Sequence, residues 1–221
     1  MQHQEENSKG FTTLEVIVVL CIVGIISAIA YPNVDSWNTS RKVRSSAINA
    51  LTVFDNINSQ VQRGLYAYTQ VYVNSEKDEE TGNQKLIIVS RGMTADTLAN
   101  KISEGGDFRD SDERCYLDPT EWDDDGATVK RPEVMKKEFT NISTDFIGEA
   151  AVCFSKDGRW YSTSEFFADE SSFSLYGEGG FCDDPLRSDE CIYRIGWSRF
   201  GNIKLEKYNA KKGEEGGWVA Q

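Results

Sequence analysis

One carboxylate, Glu15, stands alone in an otherwise uncharged apolar run, FTTLEVIVVLCIVGIISAIA from Phe11 to Ala30. As a helix, about twenty such residues are long enough to cross a bilayer. A carboxylate near the membrane interior costs roughly 2.5 kcal/mol or more on insertion scales for the related Asp, so an acid in such a run marks a functional position by default. Its chemistry would be charge pairing, and no Lys or Arg lies on the run to supply the partner. An ordinary secretory signal is the competing reading, because Ala28 and Ala30 form an A-x-A-like cleavage site. Three features count against it: the run exceeds the usual h-region of ~7–15 residues, the leader MQHQEENSK is not basic, and Glu15 interrupts the apolar pattern.

The cysteines are the second reactive set. Cys21 falls inside the apolar run and reads as a buried apolar residue of that helix, while Cys115, Cys153, Cys182 and Cys191 lie in the later polar region. Outside the cytoplasm those four are expected to oxidise into two disulfides, with three connectivities open. The turn residues of FCDDPLRSDEC favour a short loop closed by Cys182 and Cys191, which would leave Cys115 and Cys153 for a longer bridge. No CxxC pair occurs among them, which weakens a zinc reading.

The residues Gly10-Phe11-Thr12-Thr13-Leu14-Glu15 resemble the type III signal of type IV pilins and pseudopilins. That resemblance implies that a prepilin peptidase cuts between Gly10 and Phe11, that the new amine of Phe11 is methylated, and that Glu15 becomes the fifth mature residue. Gly24 and Pro32 fall where many family members carry a glycine and a helix-bending proline. In the family, the glutamate of an incoming subunit pairs with a neighbour's terminal amine. Such a pair in a low-dielectric setting can fix the axial register of packed helices, so Glu15 and the Phe11 amine are assigned to assembly. The implied partners are other pilin subunits, the prepilin peptidase, the inner-membrane assembly platform, and the membrane itself before assembly. The implied location is the inner membrane, single-pass with the head in the periplasm, and afterwards the pilus or pseudopilus. Charge bias runs the other way: the leader holds Glu5 and Glu6 against Lys9, and Arg41, Lys42 and Arg44 follow the run. The N-in orientation therefore rests on the pilin signal and not on the positive-inside rule.

The only histidine, His3, precedes the cut, so the mature chain would lack every imidazole nucleophile, base and HExxH zinc site. No catalytic residue is assigned and the chain is read as a non-enzyme. The formal charge of -12 argues against a nucleic-acid partner. The basic clusters Arg41 to Arg44 and Lys204 to Lys212 read more simply as solvated faces than as phosphate contacts. No cofactor is assigned. Calcium is carried only as an alternative at Asp123 and Asp125, since Glu121-Trp-Asp123-Asp-Asp125-Gly126 imitates part of a calcium loop. Its twelfth position is Pro132, with Glu133 one residue late, which favours a solvated acidic loop.

These residues need a scaffold. Pro32 kinks or opens a helix whose period resumes beyond it, with Ala47, Ala50, Leu51, Phe54, Ile57, Val61 and Leu65 forming one apolar stripe and Gly64 its stop. After Gly64 the pattern turns to alternation and short apolar runs at Leu65 to Val73 and Leu86 to Val89. A short helix is predicted over Thr94 to Ile102 with Thr94 as cap, then a loop from Gly105 to Gly126. A hairpin follows from Ala151 to Thr163 around Asp157-Gly158, and another from Cys191 to Tyr208 around Phe200-Gly201-Asn202. This pair of hairpins is similar to the C-terminal half of minor pilins and pseudopilins of the GspH and FimT/FimU kind. There is no internal repeat, and Lys211 to Gly217 reads as a mobile tail.

The expected fold class is α+β: a long N-terminal α-helix, membrane-spanning in its first half and amphipathic in its second, packed on a C-terminal antiparallel β-rich head. The expected parts are a leader at 1–10, an assembly helix at 11–32, an amphipathic helix at 33–64 and a head at 65–221. The head's length and two expected bridges suit a minor subunit, and an adhesin or DNA-uptake pilin is the rival class.

Overall fold

A computed structural model of the chain describes residues 11–77, 84–105, 114–123, 133–162, 171–179, 182, 188–198, 202–210 and 217–221; the side chains of 28–33 and 35 are not described. The leader with His3 and Gly10, the Pro32 side chain, Asp125, Gly126, Pro132, the turn residues Phe200 and Gly201, and the tail at 211–216 lie outside the described residues. The chain forms two compact units, Met1–Asn38 and Thr39–Gln221. Helix α1 spans Thr13–Gln62.

In the first unit, the large apolar side chains from Leu14 to Ile26 are 47% to 75% exposed, on every side of the helix. Apolar side chains on every face are the pattern of a helix that is covered all round by other apolar groups. The apolar part is described through residue 27, and among the described residues no helix is long and apolar enough to cross a membrane.

In the second unit, α1 contributes Val43, Ala47, Ala50, Val53, Phe54, Ile57 and Val61 to the core, all almost completely buried. Their three- and four-residue spacing is the physical reason that this part of the helix belongs to the folded unit. Leu51 is half-buried and Leu65 is 41% exposed, so the stripe stops short of its expected end. The cause is the helix stop. Gly64 takes φ +79, the Leu65 N–H donates to the Gln60 carbonyl at 3.0 Å, and the Gly64 N–H donates to that of Val61 at 2.9 Å. This double bond pattern ends a helix at a left-handed glycine and turns the next residue off the helical face.

The strands are β1 (Tyr68–Lys77), β2 (Gln84–Met93), β3 (Lys136–Phe139), β4 (Ile142–Ser143), β5 (Gly148–Ser155), β6 (Trp160–Ser162), β7 (Ser172–Gly177), β8 (Ile192–Trp197), β9 (Ile203–Asn209) and β10 (Gly217–Ala220). They form two five-stranded sheets, ordered β3-β2-β1-β5-β6 and β10-β9-β8-β7-β4. Every pairing is antiparallel. The α+β class therefore holds, with two antiparallel sheets. Alternation sets which side chains point inward: Val71 and Val73 of β1, Leu86 and Ile88 of β2, Val152 and Phe154 of β5, Phe173 and Leu175 of β7, and Ile195 and Trp197 of β8 join the α1 residues in one core. Phe54 is its aromatic centre, stacked 6.2 Å from Phe173 and 6.0 Å from Trp197.

Both predicted hairpins form, as β5–β6 and β8–β9. The first strand begins and ends later than alternation suggested, at Tyr68–Lys77, and the second extends beyond its apolar run at both ends, at Gln84–Met93. Their ten-residue register carries polar Asn74, Glu76, Gln84 and Lys85 beyond the apolar runs. Helix α2, Ala95–Glu104, has Thr94 as its N-cap, two residues longer than predicted. Gly217, read as tail, opens β10.

Candidate functional site

The N-terminal candidate is built on the first turn of α1. Thr12 precedes the helix, its carbonyl accepts the Val16 N–H at 3.2 Å, and its Oγ1 accepts the Glu15 N–H at 3.2 Å. Thr12-Thr13-Leu14-Glu15 is thus also a T-x-x-E capping pattern, with Glu15 at the third helical position. The bond seen is made by the Glu15 backbone N–H, so the capping side chain is that of Thr12, a local role which the pilin-like reading had passed over. A carboxylate in the first turn also faces the positive end of the helix dipole. Phe11 is 83% exposed, and no described residue stands against Gly24 within 4 Å of where a side chain would begin. Cys21, expected to be buried in the membrane helix, is exposed in the isolated chain, as every neighbour on this helix is.

In the folded unit, the four later cysteines close the two bridges that the sequence favoured: Cys115–Cys153 and Cys182–Cys191. All four are buried. Cys153 sits in β5 opposite Gln70 of β1, so its bridge ties the irregular segment 114–123 across the outer face of the first sheet. Around it Tyr68, Met93, Trp122 and Ala151 form a second, smaller core, backed by Leu98 and Ile102 of α2. The Tyr68 and Trp122 rings stack at 5.8 Å. Polar groups reinforce the same seam. Buried Arg91 donates to the Gln70 side-chain carbonyl at 2.8 Å and the Leu117 carbonyl at 2.7 Å, while Gln70 donates to the Tyr116 carbonyl at 2.5 Å. The Arg91 guanidinium lies 4.4 Å from the centre of the Tyr72 ring. Burial, with a hydrogen bond to Glu149, pushes the Tyr72 hydroxyl well above its ordinary value. Sequence patterning missed this seam, because an Arg in an alternating strand reads as a solvated face.

The acidic loop has partners of its own. Asp123 accepts the Thr94 N–H at 2.7 Å and the Thr97 hydroxyl at 2.8 Å, and so caps α2 from outside. Glu121 pairs with Lys101 of the same helix. Asp118 accepts the Thr120 N–H and hydroxyl, which hold its carboxyl below the ordinary carboxylate value. Of the calcium candidates, Asp123 is therefore committed to a helix cap, and Asp125 lies outside the described residues. Among the described residues no group of His, Cys, Asp or Glu is arranged to hold a metal ion. In the basic cluster, Arg41, Lys42 and Arg44 are exposed around buried Val43, while Lys204 pairs with Glu206 and Lys207 lies over the Tyr193 ring.

Compared with protein-family models, curated proteins and solved structures, the chain finds no match.

Proposed function

We propose that the chain is a structural subunit, of the minor kind, of a type IV pilus or a type II secretion pseudopilus. A prepilin peptidase removes residues 1–10 after Gly10, Phe11 is N-methylated, and the apolar helix first anchors the subunit in the inner membrane with its head in the periplasm. The assembly platform then draws it into a filament, where Glu15 pairs with the Phe11 amine of a neighbour. One observation carries this reading: Gly10-Phe11-Thr12-Thr13-Leu14-Glu15 leads into a helix whose apolar side chains are exposed on all sides with Glu15 as the sole charge. Lipid before assembly, and equivalent helices afterwards, would cover that surface. Cutting ahead of the run both keeps the anchor and creates the cation that Glu15 lacks. The oxidised bridges of the folded unit agree with a compartment outside the cytoplasm.

Mass spectrometry of the mature N-terminus tests the processing step. A methylated Phe11 is expected; a start at Tyr31 would make the chain a secreted soluble protein cut after Ala30. Glu15 is tested by two substitutions that separate its charge from its polarity. Glu15→Gln keeps a hydrogen-bonding side chain at the third helical position and loses the charge, whereas Glu15→Leu loses both. Both variants are expected to stay out of filaments. Normal incorporation of the Gln variant would remove the charge pair from the proposal.

A further inference from the structure

The outer face of the second sheet carries a hollow of about 660 Å³ between β7, β8 and β9. That volume lies within the ~300–1,000 Å³ of small-ligand sites. The hollow exists because β8 presents Gly196 between Ser172 of β7 and Lys204 of β9. A side chain at Gly196 would begin 3.1 Å from the Lys204 Cε and push the Lys204 stem from its place on the floor of the hollow.

The walls are polar and their charges are held in place. Glu206, 13% exposed, takes Arg194 through Nε at 3.1 Å and Nη2 at 2.7 Å on one oxygen, and Lys204 at 3.0 Å on the other. The Arg194 guanidinium lies 4.2 Å from the centre of the Trp218 ring, which backs it and fixes its plane. Among the described residues nothing pairs with its Nη1, and the Lys204 ammonium, half-exposed, directs one of its three N–H groups to Glu206. Among the described residues, two cations around one carboxylate leave a surplus positive charge in a chain of net charge -12. The hydroxyl of Ser172 and the amide of Asn202 border the same space.

We propose that this hollow binds an acidic saccharide, a sugar ring bearing one carboxylate. The ligand carboxylate meets Lys204 and the Arg194 Nη1, while ring hydroxyls donate to Glu206 and exchange hydrogen bonds with Ser172 and Asn202. A neutral sugar leaves the surplus charge unanswered. A phosphate dianion brings more charge than the surplus and is opposed by Glu206, and a nucleic-acid backbone is repelled by the chain as a whole. The proposal concerns the folded unit alone and stands or falls independently of N-terminal processing.

The test is calorimetric titration of the full-length chain in detergent micelles with galacturonate, glucuronate and N-acetylneuraminate, each beside galactose and inorganic phosphate. At least one acidic sugar is expected to bind about tenfold or more tightly than galactose and phosphate, the scale of one charge-assisted hydrogen bond. Lys204→Gln should weaken it by about tenfold, and Gly196→Ala should weaken it by displacing the Lys204 stem. Both variants leave the core untouched, and circular dichroism checks that they fold as the parent does. Binding of none of the three acids, equal binding of galactose or phosphate, or unchanged affinity in both variants would each overturn the proposal.

Discussion

Removing each bridge in turn should reveal that they are unequal. Cys115–Cys153 closes 38 residues of sequence separation and Cys182–Cys191 closes 9. On the chain-entropy account, loops of these lengths restrict the unfolded chain by about 3.9 and about 2.6 kcal/mol at 25 °C. The longer bridge is also rooted in packing: Cys115 and Cys153 are 1% and 0% exposed, inside the cluster that holds segment 114–123 and α2 on the sheet. The pair Cys115→Ala/Cys153→Ala should therefore lose at least about 1.3 kcal/mol more than the pair Cys182→Ala/Cys191→Ala, about 3–5 °C in melting temperature for a unit of this size. Thermal unfolding of the oxidised full-length chain, followed by circular dichroism, measures the difference. Hydrogen exchange adds a local readout, since amides of α2 such as Leu98 should lose protection only when the 115–153 bridge is gone. Equal or inverted costs, or unchanged α2 protection without that bridge, would refute the idea that it clamps the outer layer.

Phe54→Ala should cost about 3–5 kcal/mol, because the ring is fully buried between Phe173 and Trp197, and Phe54→Leu should cost clearly less; denaturant unfolding distinguishes them. The Glu206 carboxyl is pushed up by burial, but hydrogen bonds from Arg194 and Lys204 outweigh this and hold it below the ordinary carboxylate value. A depressed folded value contributes stability that is complete above the unfolded Glu value of about 4.3 and is lost as pH falls through the folded one. Melting temperature should accordingly fall on acidification below that point, and Glu206→Gln should flatten part of the fall.

Different parts of this molecule were legible for different physical reasons. The α1 stripe from Ala47 to Val61 repeats one period over several turns, and burying it is the main stabilising act of the second unit, so pattern and structure coincide. Caps were readable because they are local: Thr94 and Gly64 act within a few residues of themselves. The hairpin turn at Asp157-Gly158 is local too, with Gly158 at φ +79. Strands β3, β4, β7 and β10 escaped notice. Two to six residues long, they carry little pattern of their own, and β3, β4 and β7 are specified by partners far along the chain, as when Leu86 in β2 faces Phe139 in β3. A window along the sequence cannot register a short strand whose evidence is its neighbour.

The polar seams were illegible for a related reason. Arg91, Gln70 and Asp123 each look solvated in sequence, yet the fold turns Arg91 and Gln70 inward and spends Asp123 on a helix cap 29 residues away. A carboxylate's meaning depends on which donors the topology delivers to it. The same rule separates Glu206 and Glu15, the two acids on which the proposals turn. Glu206 receives its cations from its own sheet, so its role can be read within one chain. Glu15 has no cation on its own apolar run, and the apolar side chains around it are exposed on every side of the helix. On the proposed reading, a terminal ammonium on an identical helix would supply the charge that Glu15 lacks, and the same helix would cover the apolar surface beside it.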